Sequence, residues 1–341
     1  MKILLFEYFT ASNSNDRPII SEAKAMIESL LEDLKDFKVY LLISKSFLSF
    51  FKDYNQDNII TIEEDLFIWL KKNIYKFNKV MFIGCEERLI LYELTKLIEA
   101  QGVEILGSNS KGILTCSNKY KTYIALKNKV RQPKTIKIDI NNDNSYLAIK
   151  KLLEKSNSKK LIAKPIYGVD CQDTKLIHDD KEAYNLNNHK KELIIQEFIE
   201  GDTVSVSLIS DGNESIPISL NEQFIAINNN EFNYLGGEIP FEHPLKEEAF
   251  KIAKIATETI DGLKGFIGVD LILSNDKVYF LEINSRFTTS YVGLAKIINI
   301  NIGESIIKLL TNQITLNSIN FKFNGKVKFI KNGKNLEIKL S

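Results

Sequence analysis

Along the first hundred positions, short apolar runs alternate with segments whose apolar residues recur every three or four places. Residues 2–6 and 39–43 read as buried strands, whereas Ala23, Met26, Ile27, Leu30, Leu31 and Leu34 fall on one face of a helix over 22–34. The rhythm continues with a strand at 59–62, a helix over 66–75, a strand at 80–83, a helix over 88–100 and a strand at 103–106. Such alternation predicts a parallel sheet with helices on its faces. Past residue 109 the rhythm changes. Helices over 117–128 and 146–155 are followed by strands at 160–164, 193–198, 204–208, 216–220 and 224–227. The pattern then predicts a loop over 234–240, a helix over 246–260, and two strands, 268–273 and 278–284, that form a hairpin. In the tail, Asn324-Gly325 and Asn332-Gly333 punctuate alternating apolar residues, which predicts hairpins over 314–340 with a structural role.

A chain of 341 residues is long enough for two or three domains with a substantial core. Basic and acidic side chains number 45 and 44, so no nucleic-acid surface is implied and small-molecule partners fit better. Cys85, Cys116 and Cys171 are far apart and form no C-x-x-C pair, which points to a reducing compartment and core or loop thiols. His178, His189 and His243 show no metal-ligand spacing. The opening apolar run meets Glu7 too soon for a signal peptide, and no segment reads as a membrane span. The expectation is a cytoplasmic protein without a membrane partner, whose chemistry comes from carboxylates, Lys and Arg.

The densest group of such residues lies in the hairpin. Glu282, Asn284 and, if the strand continues, Arg286 are spaced by two and share one strand face, and Asp270 is the single acid in the oily run Gly268-Val269-Asp270-Leu271-Ile272-Leu273. Two carboxylates and an amide oxygen form a hard donor set of the kind Mg2+ takes when it also holds phosphates; the plainer reading is a wetted hairpin face. Parity sharpens the choice. If Ser274 pairs with Lys277 around a two-residue turn, Asp270 faces away from Glu282 unless the hairpin carries a bulge.

Upstream, Lys119 stands in a helix first turn, where a cation is disfavoured unless an anion is near. Lys164 ends a strand beside a loop and can reach a phosphate as a point charge. The segment Gln196-Glu197-Phe198-Ile199 could hold a flat heteroaromatic ring against backbone groups, or simply be a buried strand. Glu7, at the end of the first strand, is a candidate substrate contact or a helix-capping acid. Gly236 and Gly237 either let backbone approach a ligand or make a turn. No G-x-G-x-x-G follows the first strand, which argues against a dinucleotide cradle.

This order of parts resembles the ATP-grasp superfamily of carboxylate–amine ligases, over roughly residues 109–312. The resemblance implies a mixed α/β and α+β chain: an ATP-grasp fold in two parts, 109–200 and 201–312, preceded by a parallel α/β (pre-ATP-grasp) domain over 1–108 and followed by a β-hairpin tail over 313–341. It makes Lys119 and Lys164 phosphate contacts, with Asn118 standing where the family usually has Asp. It makes Gln196, Glu197, Phe198 and Ile199 the adenine hinge. The ribose acid of the family falls at Thr203, so Asp202 or Glu200 would substitute. Asp270, Glu282 and Asn284 match the ligands of Mg2+ (or Mn2+), and Arg286, with Lys164, would act on the acyl phosphate formed from ATP and a carboxylic acid. Phe6-Glu7-Tyr8, the segment 21–26 and Tyr234-x-Gly236-Gly237-x-x-Pro240 most resemble members of the family that serve methanofuran biosynthesis. That implies the side-chain carboxylate of L-glutamate and tyramine as substrates; another acid or amine, or a nucleotide-binding regulator without turnover, remains the alternative.

Overall fold

The computed structural model describes residues 1–13, 17–138, 144–168, 173–179, 181–182, 192–332 and 335–340. The first unit is built from β1 (Lys2–Glu7), the single turn α1 (Tyr8–Ala11), α2 (Arg17–Asp33), β2 (Lys38–Ser44), β3 (Ile59–Ile62), α3 (Leu66–Asn73), β4 (Lys79–Ile83), α4 (Ile90–Ala100) and β5 (Glu104–Ile105). Its strands lie parallel in the order β3-β2-β1-β4-β5. β1 is central and buried on both faces, which is why it reads as a continuous apolar run. Phe6 stacks on Phe82 of β4 at 5.0 Å between ring centroids.

The chain then runs through α5 (Ser110–Ser117), α6 (Lys119–Ala125), β6 (Thr135–Ile138), α7 (Asn144–Lys155), β7 (Leu161–Pro165), β8 (Lys175–Ile177), β9 (Leu193–Glu197), β10 (Asp202–Ser210), β11 (Ser215–Asn228), β12 (Glu231–Ile239), α8 (Lys246–Thr259), β13 (Gly265–Ser274), β14 (Lys277–Asn284), α9 (Thr289–Ile297), α10 (Ile302–Leu310), β15 (Val327–Asn332) and β16 (Asn335–Leu340). Eleven strands form one antiparallel sheet in the order β14-β13-β10-β11-β12-β8-β7-β9-β6, with β15 on β12 and β16 on β15. Helix α8 buries Ala249, Ile252, Ala253 and Ala256 against it. Among the described residues, strands β6 to β9 join the rest of the sheet through one residue pair, Glu231 of β12 with Lys175 of β8.

Several expectations change. The helix expected over 117–128 is the shorter α6, and an unexpected helix, α5, precedes it; Asn118 ends α5 and caps α6 by accepting from the Lys121 N–H at 2.9 Å. Residues 216–220 and 224–227 belong to one long strand, β11. The loop expected over 234–240 is mostly strand, because Gly236 and Gly237 sit where side chains would collide. A Cβ on Gly236 would lie 2.1 Å from the Phe329 carbonyl oxygen, and one on Gly237 2.3 Å from that of Glu222. The two glycines therefore seat β12 between β11 and β15 rather than turn the chain. In the tail, Asn324-Gly325 makes no hairpin but leads into β15, which joins the main sheet. Gly333, Cys171 and His189 lie outside the described residues. Among the described residues no helix is long and apolar enough to cross a membrane, and Cys85 and Cys116 are buried free thiols.

Candidate active site

The hairpin β13–β14 turns over Asn275-Asp276, with Ser274 paired to Lys277 and Asn275 in the left-handed region at φ 52°. By parity alone Asp270 and Glu282 would face opposite ways. The register instead steps between Leu271↔Phe280 and Asp270↔Glu282, so Leu281 is an extra residue in a bulge. That one residue turns Glu282 and Asn284 onto the face of Asp270. Gln223 Nε2 donates to Asp270 Oδ1 at 3.0 Å and Asn284 Nδ2 to Asp270 Oδ2 at 3.1 Å.

The two acids differ electrically. Burial, followed by repulsion from Glu282, pushes the Asp270 carboxyl up to about 7. Burial also works against ionised Glu282, but Lys119 and Lys164 outweigh it and hold that carboxyl below its ordinary range. Lys119 Nζ lies 2.9 Å from Glu282 Oε2 and donates to the Gly168 carbonyl at 2.9 Å. Burial lowers this ammonium's affinity for its proton, yet Glu282 more than restores it. α6 begins at Lys119 because the Asn118 side chain supplies its cap, a task Asn performs about as well as Asp. Lys164 on β7 donates to Gln196 Oε1 of β9 at 3.1 Å, and Gln196 Nε2 donates to the Thr135 hydroxyl at 3.0 Å. The next residues of that segment are held by backbone bonds from the Glu197 N–H to the Lys134 carbonyl and from the Phe198 N–H to that of Lys160.

Lys119, Lys164, Asp270, Glu282, Asn284 and Arg286 line one cleft of about 410 Å³. Glu7, Gln196, Glu197, Phe198, Ile199 and Thr203 line it as well. Asp202, Gly236 and Gly237 are not among its lining residues. Asp202 is exposed, with its carboxylate 3.5 Å from His243 Nε2, and Glu200 is exposed beside Lys160. Thr203 faces the cleft but spends its hydroxyl on the Gln223 carbonyl at 2.8 Å. Glu7 caps α1: its carboxylate accepts from the Phe9 and Thr10 N–H groups at 2.9 Å each and from the Thr10 hydroxyl. Burial pushes it up to about 7.

The strand pattern did not reveal Glu86, whose carboxylate accepts from Arg286 Nε at 2.9 and 3.0 Å. It sits in the irregular segment after β4, followed by Arg88 and Leu89 at φ 51° and 60°, so no periodicity marks it. Nor did the pattern reveal the polar floor. Asn221 donates to the hydroxyls of Ser205 and Ser207, and Ser207, Ser290 and Thr288 follow in hydrogen-bonded sequence. Only the pairing of β10 with β11, and the crossing of α9, brings these residues together.

The donor set suits a nucleotide-bound Mg2+, which takes one or two carboxylates and leaves room for phosphate and water. Among the described residues no three acids, histidines or cysteines cluster as a metal site by themselves. Two half-buried carboxylates and an amide, flanked by two lysines, are the set that fits.

A family model described as the ATP-grasp domain matches residues 116–290. The chain is 36% identical over 329 residues to the tyramine–L-glutamate ligase of Methanocaldococcus fervens, covering 95% of this chain and 98% of that protein. Identity to the protein of the same name from Methanocaldococcus jannaschii is 34%, covering 95% and 92%. Among solved structures, an ATP-grasp superfamily protein from Archaeoglobus fulgidus is 25% identical, with a TM-score of 0.73, covering 100% of this chain and 99% of that one.

Proposed function

Since this chain belongs to the ATP-grasp family, we propose that it is an ATP-dependent ligase joining the side-chain carboxylate of L-glutamate to tyramine, giving γ-glutamyltyramine, ADP and phosphate. The observation that carries the ligase chemistry is the bulge at Leu281, which turns Glu282 and Asn284 onto the face of Asp270, beneath two lysines and beside an arginine. The substrates rest on likeness along nearly the whole chain to relatives that bear those substrates in their names. The same relatives support a place in methanofuran biosynthesis.

Asp270, Glu282 and Asn284 would hold Mg2+ (or Mn2+), which supplies charge neutralisation at the nucleotide phosphates. Lys119 and Lys164 add positive charge on the transferred phosphoryl oxygens, and Gln196 to Ile199 seat the adenine. Arg286, fixed by Glu86, binds the acyl phosphate and then the oxyanion formed as the amine attacks. The amine nitrogen bonds to the acyl carbon, the acyl–phosphate oxygen bond breaks, phosphate leaves, and the amine proton passes to solvent. Fixed charge rather than a covalent enzyme intermediate lowers the barrier.

The test is ADP release across a panel of carboxylic acids and amines, with the product weighed by mass spectrometry. Turnover is expected to peak with glutamate plus tyramine and to yield γ-glutamyltyramine. A peak at another pair would replace these substrates while leaving the ligase, and no turnover with any pair would favour a nucleotide-binding regulator.

A further inference from the structure

The apolar side chains that line the cleft include two groups set by different elements. Ile162, Phe198, Ile272 and Leu281 lie on and beside the 196–199 segment and the bulge, where a nucleotide base belongs. Met26, Tyr234 and Phe329 form the second group, drawn from α2, β12 and β15. They are tied to one another. Met26 and Phe329 belong to one buried cluster with Tyr234 packed against it. Lys331 Nζ lies 4.9 Å from the centroid of the Tyr234 ring and 3.0 Å from Glu22 Oε2. Glu22 stands one helical turn before Met26 and accepts a hydrogen bond from the Thr289 hydroxyl, three residues beyond Arg286. The second group therefore stands on the Arg286 side, where the incoming amine must approach. Gly237 belongs to the same construction, since a Cβ there would lie 3.0 Å from the Phe329 ring carbon Cζ.

We propose that the aryl ring of the amine substrate packs against Tyr234, Phe329 and Met26, so that the tail hairpin is a wall of the amine subsite. This rests on the tyramine reading above and adds where the ring goes. Two aromatic walls and a thioether offer a flat ring both area and quadrupole complementarity. The Lys331–Glu22 ion pair and the Thr289 hydroxyl hold the hairpin, α2 and α9 in register around the ring. The Tyr-x-Gly-Gly motif thus serves the substrate twice: Tyr234 packs on the ring, and the two glycines seat the strand beside the one that brings Phe329.

The test compares tyramine with ethylamine, which lacks the ring, in the full-length enzyme supplied with ATP and glutamate. Wild type is expected to favour tyramine by at least about 100-fold in kcat/KM. Tyr234→Ala and Phe329→Leu are each expected to raise KM for tyramine by about tenfold or more, while kcat/KM for ethylamine and KM for ATP stay within about twofold. Tyr234 is only half-buried, so its variant keeps the test open should Phe329→Leu fold poorly. An unchanged tyramine KM in both variants, with wild type active, would overturn the pocket alone. Rises in all KM values together would reduce the two rings to packing and overturn it too. A wild type idle with tyramine but active with other amines would remove the substrate reading and this inference with it.

Discussion

Glu282 is the side chain on which the charges of the cleft converge, because it faces Asp270 across the hairpin and takes the Lys119 ammonium. Glu282→Ala is expected to lower the rate of ADP release by about 10³-fold, and Lys164→Ala by at least about 10²-fold, judged from what single fixed charges contribute at such sites. A coupled ADP assay with a melting curve as control checks both; near wild-type turnover by either variant would sink the assignment. Glu86 offers a separate test. Glu86→Gln keeps the volume but removes the carboxylate charge that Arg286 Nε meets, so kcat is expected to fall about tenfold with KM for ATP unchanged. The lysines, the two hairpin acids and Asn284 were legible in the sequence because each sits at a fixed offset on a strand or helix end. Glu86 was not, since its partner is 200 positions away and its own segment has no period.

Elements show why local reading succeeds in one place and fails in another. The hairpin was legible down to its condition: a two-residue turn demands a bulge if both acids are to share a face, and the bulge is there at Leu281. Deleting Leu281 should close the bulge and leave Glu282 directly opposite Asp270, so binding of Mg-ADP measured by calorimetry should change by less than about tenfold. β12 was hidden, because two glycines and the surplus residue Leu235 imitate a loop, and only the strands on either side explain them. Packing between α2, α9 and α10 brings a pH dependence of its own. Asp33 Oδ2 accepts from the Tyr291 hydroxyl and from the Gly303 N–H, each at 2.8 Å, and burial pushes its carboxyl up to about 6 from an ordinary 3.8. The folded chain therefore holds this proton more tightly than the unfolded chain does, so stability from this site is full below about pH 4 and is lost as pH rises through 6. Asp33→Asn should flatten that decline, worth about 3 kcal/mol at most by chemical denaturation across the interval.

At the scale of the molecule, the sequence announced a parallel unit and then a strand-rich one, but not how the parts interlock. Arg286 leans on an acid from the first unit, and the tail strand β15 completes the wall that carries Phe329. These are long-range pairings, decided by the whole sheet and not by any local period. Among the described residues, the narrowest join in the large sheet lies between strands β6–β9 and β12. Beside the one residue pair, the Leu176 N–H donates to the Asn230 carbonyl, Asn230 Nδ2 donates to Glu182 Oε1 at 2.9 Å, and His178 Nε2 lies 3.1 Å from Asn230 Oδ1. Asn230 adopts φ 65°, a conformation Asn tolerates better than most residues. Asn230→Ala should loosen this seam and raise KM for ATP several-fold, with little change in melting temperature. Among the described residues few bonds cross this join, and the consequence would be kinetic: ADP would escape by parting the contacts that helped enclose ATP, and a variant that grips its nucleotide less well would turn over faster wherever departure of the spent nucleotide sets the pace.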